Sequence, residues 1–202
     1  MHTKTIYSSL LIGLLFSSLV YAQEKGIPIT VSAFNQATSM PFSELLTSPI
    51  HPGIAVATEL NYSKQPKHSR LFQTIGASYY YHRYLNQAVT VFSEMGYEYR
   101  FKPGIELSAL LGVGYMRSFR NATEYAFENG SYSATKNTGT GRFAPSFSLE
   151  TGYYLHPKSI TSLKLFVRYQ VWVEYPFSLG FIDLMPHNNL HLGVKFFIGA
   201  NK

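Results

Sequence analysis

Residues 162–174 read SLKLFVRYQVWVE, and their two-residue repeat decides the fold. Leu163, Leu165, Val167, Tyr169, Val171 and Val173 share one face; Lys164, Phe166, Arg168, Gln170, Trp172 and Glu174 share the other. A helix would scatter both sets around its circumference, whereas a strand sends successive side chains to opposite sides. The apolar face carries no charge, and a strand of about 9–11 residues is long enough to cross a bilayer core.

The same repeat recurs outward from this segment. It runs through 143–155, 104–118 and 88–101, where Ser93 interrupts an otherwise apolar face, and through 190–197. Upstream it runs through 71–83 and 53–62. The short run 27–34, IPITVSAF, supplies an eighth strand. Eight strands sort the connections. One end receives 62–70, 101–103 and 156–161 with the C-terminus; the other receives 35–52, 84–87, 119–142 and 174–188. Three of the four longest connections thus fall at one end, as in outer-membrane barrels with short periplasmic turns, and an even count is their rule. The expected fold is all-β: a single antiparallel transmembrane β-barrel of eight strands over residues 23–202.

Composition agrees. Charged residues are 14% of the chain, low for a water-exposed surface. There are 16 Tyr and 15 Phe, many at the ends of the apolar faces, where headgroup-level aromatics sit. The absence of Cys rules out disulfides, thiolate metal clusters and a cysteine nucleophile. Residues 1–22, MHTKTIYSSLLIGLLFSSLVYA, read as an export signal: Lys4 precedes an apolar core at Leu10–Val20, and Val20-Tyr21-Ala22 offers a small-x-small cleavage site. The net charge of +6 forms no basic stripe of the kind nucleic acid requires, so no nucleic-acid partner is expected.

Alternation does not state which face points outward. A soluble barrel of the lipocalin kind hides its apolar face; a membrane barrel displays it. The opposite faces here mix Gly, Ala and Ser with charges, and small residues suit a crowded narrow interior better than a wet exterior. That interior is expected to hold Glu59, Glu94, Glu98, Glu106, Glu150 and Glu174 beside Arg100, Lys164, Arg168 and Lys195. Buried charges cost several kcal/mol apiece unless paired, so the mixture reads as an ion-paired polar plug; the alternative is a narrow ion path.

The loops offer weaker signals. In 35–52, NQATSMPFSELLTSPIHP, Ser39 is placed to cap a helical turn through Leu46, and the segment reads as a lid over or into the barrel mouth. His51, His82, His187 and His191 form a candidate rim or plug site. They also permit a Ser–His–acid reading, with His187 or His51 as base, Glu174 or Asp183 as orienter, and Ser43, Ser48 or Ser178 as nucleophile. Nothing in the spacing selects among these sets. Cys and HExxH pairs are absent, so no metal and no cofactor are expected. Asn129-Gly130 marks a turn within 119–142, and Arg142 at that segment's end is offered to lipopolysaccharide phosphates. The apolar 174–188 segment reads as folded over the rim, touching lipid or docking a partner.

Several stretches resemble a group of small outer-membrane β-barrel proteins from Bacteroidetes-type bacteria. They include Ser48-Pro-Ile-His-Pro-Gly-Ile54, Tyr79-Tyr-Tyr-His-Arg83, Leu111-Gly-Val-Gly-Tyr115, Arg168-Tyr-Gln-Val-Trp172 and Leu190-His-Leu-Gly193. The resemblance spans residues 48–198 and implies an envelope location and the barrel fold, without an activity. No stretch matches the motifs of barrel lipid A deacylases or palmitoyltransferases. The final strand ends Phe196-Phe-Ile-Gly-Ala-Asn-Lys202, whereas substrates of the barrel assembly machinery commonly end on an aromatic. The expected role is structural or interactive, with outer-membrane lipid or lipopolysaccharide, the assembly machinery and an envelope protein as partners. The alternatives are a lipid-modifying hydrolase or acyltransferase at the outer leaflet, and a narrow pore.

Overall fold

The computed structural model describes residues 26–43, 46–63, 68–123, 125–128, 130–157, 159, 161–178 and 180–199. The expected export signal, residues 1–22, lies outside these. Ten strands follow in order: β1 (Ile27–Ala37), β2 (Pro52–Asn61), β3 (Ser69–Tyr81), β4 (Asn86–Arg100), β5 (Ile105–Arg120), β6 (Tyr125–Glu128), β7 (Ser131–Ala134), β8 (Thr140–Tyr154), β9 (Lys164–Glu174) and β10 (Met185–Ile198). Eight of them close an antiparallel barrel in the cyclic order β1-β10-β9-β8-β5-β4-β3-β2, and β6-β7 forms a separate hairpin. The seam is made by β1, whose Val31 lies opposite Val194 of β10 on one side and Val56 of β2 on the other. The run 27–34 is therefore a full barrel strand, extended to Ala37.

The outward face is the apolar one. Leu111 is 70% exposed and Val91 58%, beside Ile54, Leu107 and Val113. In water such a wall would be a continuous apolar patch; in a bilayer it is matched to its solvent. The expected exception, Ser93, is reached from the neighbouring strand by Gln73 Nε2 at 2.7 Å, while the Tyr62 hydroxyl donates to Gln73 Oε1. These outward polar groups satisfy one another instead of facing lipid alone.

Inside, aromatic rings lie flat over glycines on the adjacent strand. Gly53, Gly96 and Gly193 are the direct partners of Phe34, Phe72 and Phe166. A Cβ on any of them would sit 2.2–2.4 Å from the facing ring carbon. The interior glycines are thus sites of close approach, and they let six-membered rings fit within an eight-stranded barrel.

Several strand ends and one connection differ from the sequence reading. β10 begins at Met185, β8 at Thr140, and the 119–142 segment contains the β6-β7 hairpin with Gly130 at positive φ in its turn. The expected helical turn over Ser39–Leu46 does not form among the described residues: Pro41–Ser43 make a tight turn in which Ser43 N reaches Met40 O. The lid assignment is corrected for part of the segment. Asn188 faces outward by the alternation of β10 yet is 2% exposed, because its Nδ2 donates to the Ser39 and Met40 carbonyls. Phe42 stacks on the outward Tyr169 at 4.9 Å, and its N–H donates to the Tyr169 hydroxyl. Residues 39–42 therefore lie against the outer wall of β9 and β10, whereas Thr38 and His51 of the same segment turn inward at the mouth.

Candidate functional site

The inward faces build four layers along the barrel. The layer nearest the short turns is ionic. Lys164 Nζ lies 2.7 Å from Glu106 and 2.6 Å from Glu150, and Arg168 bridges Glu150 at 2.7 Å and Glu94 at 2.9 Å. Glu59 accepts from Arg70 at 2.8 Å and Lys195 at 2.7 Å. Glu98 accepts from Arg70, from Arg100 at 3.3 Å and from the Tyr154 hydroxyl. Glu106 also takes the Ser108 hydroxyl at 2.8 Å, and Gln170 donates to Glu94. These carboxylates are all buried, as are Lys164, Arg168 and Lys195; Arg100, half-buried, lays its guanidinium over the Tyr154 ring at 3.5 Å.

Two cations of the interior escape the sequence reading, which assigned them to connections. Arg70 is the second residue of β3 and bridges Glu59 and Glu98. Arg142 lies in β8 and meets the buried Glu174, so the expected exposure of Arg142 to lipid phosphates is wrong. Both could have been found by extending the repeat. Arg70 shares parity with Phe72 and Thr74, and Arg142 with Ala144 and Ser146. With them, five carboxylates meet five cations in the lower layer, and Glu174 meets Arg142 above.

Above the ions lies a cavity of about 50 Å³, lined by Thr30, Ser32, Arg168, Gln170, Asn189 and His191 among others. His191 is held there by Ser32 Oγ at 3.1 Å from its Nδ1, and Phe34 packs against its ring. Over the cavity an apolar layer, Phe34, Ala55, Tyr80, Ala88, Met116, Ala144 and Trp172, spans the barrel.

The outermost layer contains the other three histidines. His187 stacks on Trp172 at 4.1 Å and places Nε2 3.0 Å from Glu174. A carboxylate only accepts, so Nε2 donates and Nδ1 carries the lone pair, which Gln36 Nε2 meets at 2.8 Å and Thr38 Oγ1 at 3.1 Å. His51 and His82 stack face to face at 3.6 Å. His51 Nδ1 donates to the Gln36 carbonyl at 3.2 Å, and Asn121 Nδ2 donates to the His82 carbonyl at 2.7 Å. The stack therefore joins the loops after β1, β3 and β5. His82 lies just beyond β3, and its proton affinity is lowered from the ordinary 6.5, by burial first and then by His51 beside it.

The candidate serines do not join this layer. Ser43 Oγ donates to the Met40 carbonyl at 2.6 Å, Ser178 forms a turn with Ile182, and among the described residues neither they nor Ser48 meets a histidine. Asp183 contributes its carbonyl to Phe177 N rather than a carboxylate to a base. The hydroxyl that His187 does meet is Thr38, on a ring whose lone pair Gln36 already engages and which is 3% exposed. Among the described residues no three His, Asp or Glu side chains converge on a point where a metal ion would fit.

A scan of protein-family models finds no match, and a search of curated proteins finds none either. Solved structures do match. Neisserial surface protein A aligns at 11% identity over 86% of this chain and 98% of its own, with a TM-score of 0.56. Ail, the attachment invasion locus protein of Yersinia pestis, crystallised with the heparin analogue sucrose octasulfate, aligns at 10% identity over 86% and 99%, with a TM-score of 0.50. The outer membrane enzyme PagL aligns at 12% identity over 85% and 99%, but its TM-score of 0.48 is too low to argue from. At such identities the likeness concerns fold alone. With the apolar outer wall, it makes the chain an eight-stranded barrel of the outer-membrane type, crossing the membrane as strands.

Proposed function

We propose that the protein is a closed outer-membrane barrel with a structural or interaction role, serving an envelope complex through its outer loops. The observation that carries this reading is the self-neutralising interior. Five carboxylates and five cations bridge strands across the barrel, most of them buried, so paired side chains fill the level where a solute would have to pass. Interaction is supported by the outer end, where Tyr125, Phe127 and Tyr132 of the hairpin and Phe181 of the last loop are 63–84% exposed. Aromatic side chains of this kind anchor protein interfaces. Planar-bilayer recordings are expected to show no steady conductance, and crosslinking in native envelopes to capture a protein through the hairpin. A steady single-channel current would refute the closed barrel.

A second reading, a lipid-modifying hydrolase at the outer leaflet, is favoured by one arrangement. Thr38, His187 and Glu174 follow one another as hydroxyl, imidazole and carboxylate. It ranks second because Gln36 competes for the nitrogen that would take the hydroxyl proton. Mass spectrometry of lipid A from cells with and without the protein decides it: altered acylation establishes the hydrolase, and unchanged acylation removes it.

A further inference from the structure

The loop between β1 and β2 carries a single charge from 38 to 50, Glu44, and its Met40, Phe42 and Leu46 are 67–71% exposed. Two strands fix the level at which it lies. Phe42 stacks on the outward Tyr169, and the outward face of β9 stays apolar beyond that contact, through Val171 and Val173. Val173 is four residues, about 13 Å of strand, past Tyr169, farther than a tyrosine side chain reaches. Asn188, the other anchor, is directly opposite Val171. The turn at 40–43 thus sits beside the outer edge of the apolar wall, not beyond it.

Backbone groups at such a level need partners from the protein, because water is scarce there. The turn has them. Pro41 carries no N–H; that of Phe42 donates to the Tyr169 hydroxyl at 2.7 Å and that of Ser43 to the Met40 carbonyl at 3.2 Å. Asn188 Nδ2 donates to the Ser39 and Met40 carbonyls at 3.2 and 2.9 Å and to the Ser39 hydroxyl at 2.8 Å. An unpaired amide on a lipid-facing wall would be costly; this one holds the loop. Asn35, outward on β1, does the same for the returning half, accepting from the Thr47 hydroxyl at 3.1 Å and the His51 N–H at 2.9 Å. Phe42 keeps φ at 62°, which a bulky residue rarely adopts, so its ring is set on Tyr169 against backbone preference. The polar side of the turn faces the barrel and its apolar side faces away, the reverse of a turn open to water.

We propose that this loop is a lipid anchor, resting Met40, Phe42 and Leu46 in the outer leaflet at the boundary of headgroups and acyl chains. Lipid is the occupant because the apolar side of the turn continues the wall of β9 and β10 that already faces lipid. The anchor also ties the bilayer to the mouth, since Thr38 and His51 at its two ends belong to the histidine layer. It goes beyond the role assigned above and rests only on the barrel's crossing of the membrane.

The chain has no cysteine, so a single nitroxide label reports on one chosen position. Met40→Cys, Leu111→Cys on the lipid-facing wall and Tyr132→Cys on the outer hairpin are labelled and folded into phosphatidylcholine vesicles, heat-modifiable migration confirming each barrel. Oxygen concentrates in the bilayer and a nickel chelate in the water, so the ratio of their collision rates reads each label's surroundings. The Met40 label is expected to give a ratio several-fold above that at Tyr132 and near that at Leu111. Asn188→Leu, which removes the amide but keeps the wall apolar, is expected to lose much of that rise. A Met40 ratio equal to that at Tyr132 would place the loop in water. Exclusion of both reagents would place a protein on it, a second copy included, and a ratio unmoved by Asn188→Leu would mean that the label alone seeks lipid. Each of these three results would overturn the proposal.

Discussion

Lys164→Met tests whether the ionic layer holds the barrel together. The parent ammonium is 1% exposed and bridges Glu106 at 2.7 Å and Glu150 at 2.6 Å. Methionine fills similar volume, so packing is largely kept and the charge is what goes. Glu150 would retain Arg168, but Glu106 would keep only the Ser108 hydroxyl, and the layer would hold five carboxylates against four cations. Removing one partner of a buried pair costs about 3–5 kcal/mol, whereas a solvent-screened pair is worth about 0–1. Adding Glu106→Gln restores neutrality and gives the ammonium's former neighbour a group that tolerates burial uncharged. The double variant should then recover a coupling of about 2–3 kcal/mol relative to the sum of the singles. Urea unfolding in phosphatidylcholine vesicles, followed by the mobility shift between folded and unfolded barrel on gels, measures all three variants. A single-variant cost below about 1 kcal/mol, or additive effects, would show that the layer is solvated and would refute the reasoning.

Two further outcomes follow from other layers. The unfolded His82 side chain takes a proton near 6.5 while the folded one resists it, because of burial and His51 at 3.6 Å. The stabilising contribution is therefore complete above pH 6.5 and drains away as pH falls below it. Hydrogen exchange in 38–51 and 82–85 should be faster at pH 5 than at pH 7.5, and His82→Phe, which keeps a stacked ring, should flatten the difference; equal protection at both pH values in the parent would count against a histidine clasp. Gly96→Ala places a Cβ 2.4 Å from the Phe72 ring carbon and should cost about 1–3 kcal/mol, with Phe72→Leu restoring part of it. Thermal melting of the single and double variants checks this, and a Gly96→Ala melt equal to the parent's would mean the ring can move aside.

The two-residue repeat is a local property, and it was legible wherever a strand was recognised. From 162–174 alone one reads that Lys164, Arg168 and Glu174 share a face, and the same parity carries Glu94 with Glu98 and Glu106 with Ser108. Small residues on that face indicated a narrow interior, and the charge-free face indicated lipid. Arg70 and Arg142 were lost only at strand ends, where the repeat is cut short and turn composition dominates. The six-to-four excess of acids over bases was the signal that two cations were missing.

Tertiary structure alone decided who meets whom. Arg168 reaches Glu94 across 74 residues of chain, and Gln36 reaches His187 across 151, because β1 closes against β10 and the strand registers bring those levels together. Parity states which side of a strand a group occupies; closure and register determine its partner. The same holds for the outward Asn188, whose burial depends on a loop from the other side of the seam, and for Phe34, Phe72 and Phe166, whose fit depends on a glycine directly opposite on another strand. The amino-acid sequence by itself thus determined the architecture and the faces, since both arise from neighbours a few residues apart. The ion pairs, the histidine layer and the interior cavity belong to the closed barrel, since their members lie far apart along the chain and meet only when the sheet joins its own edge.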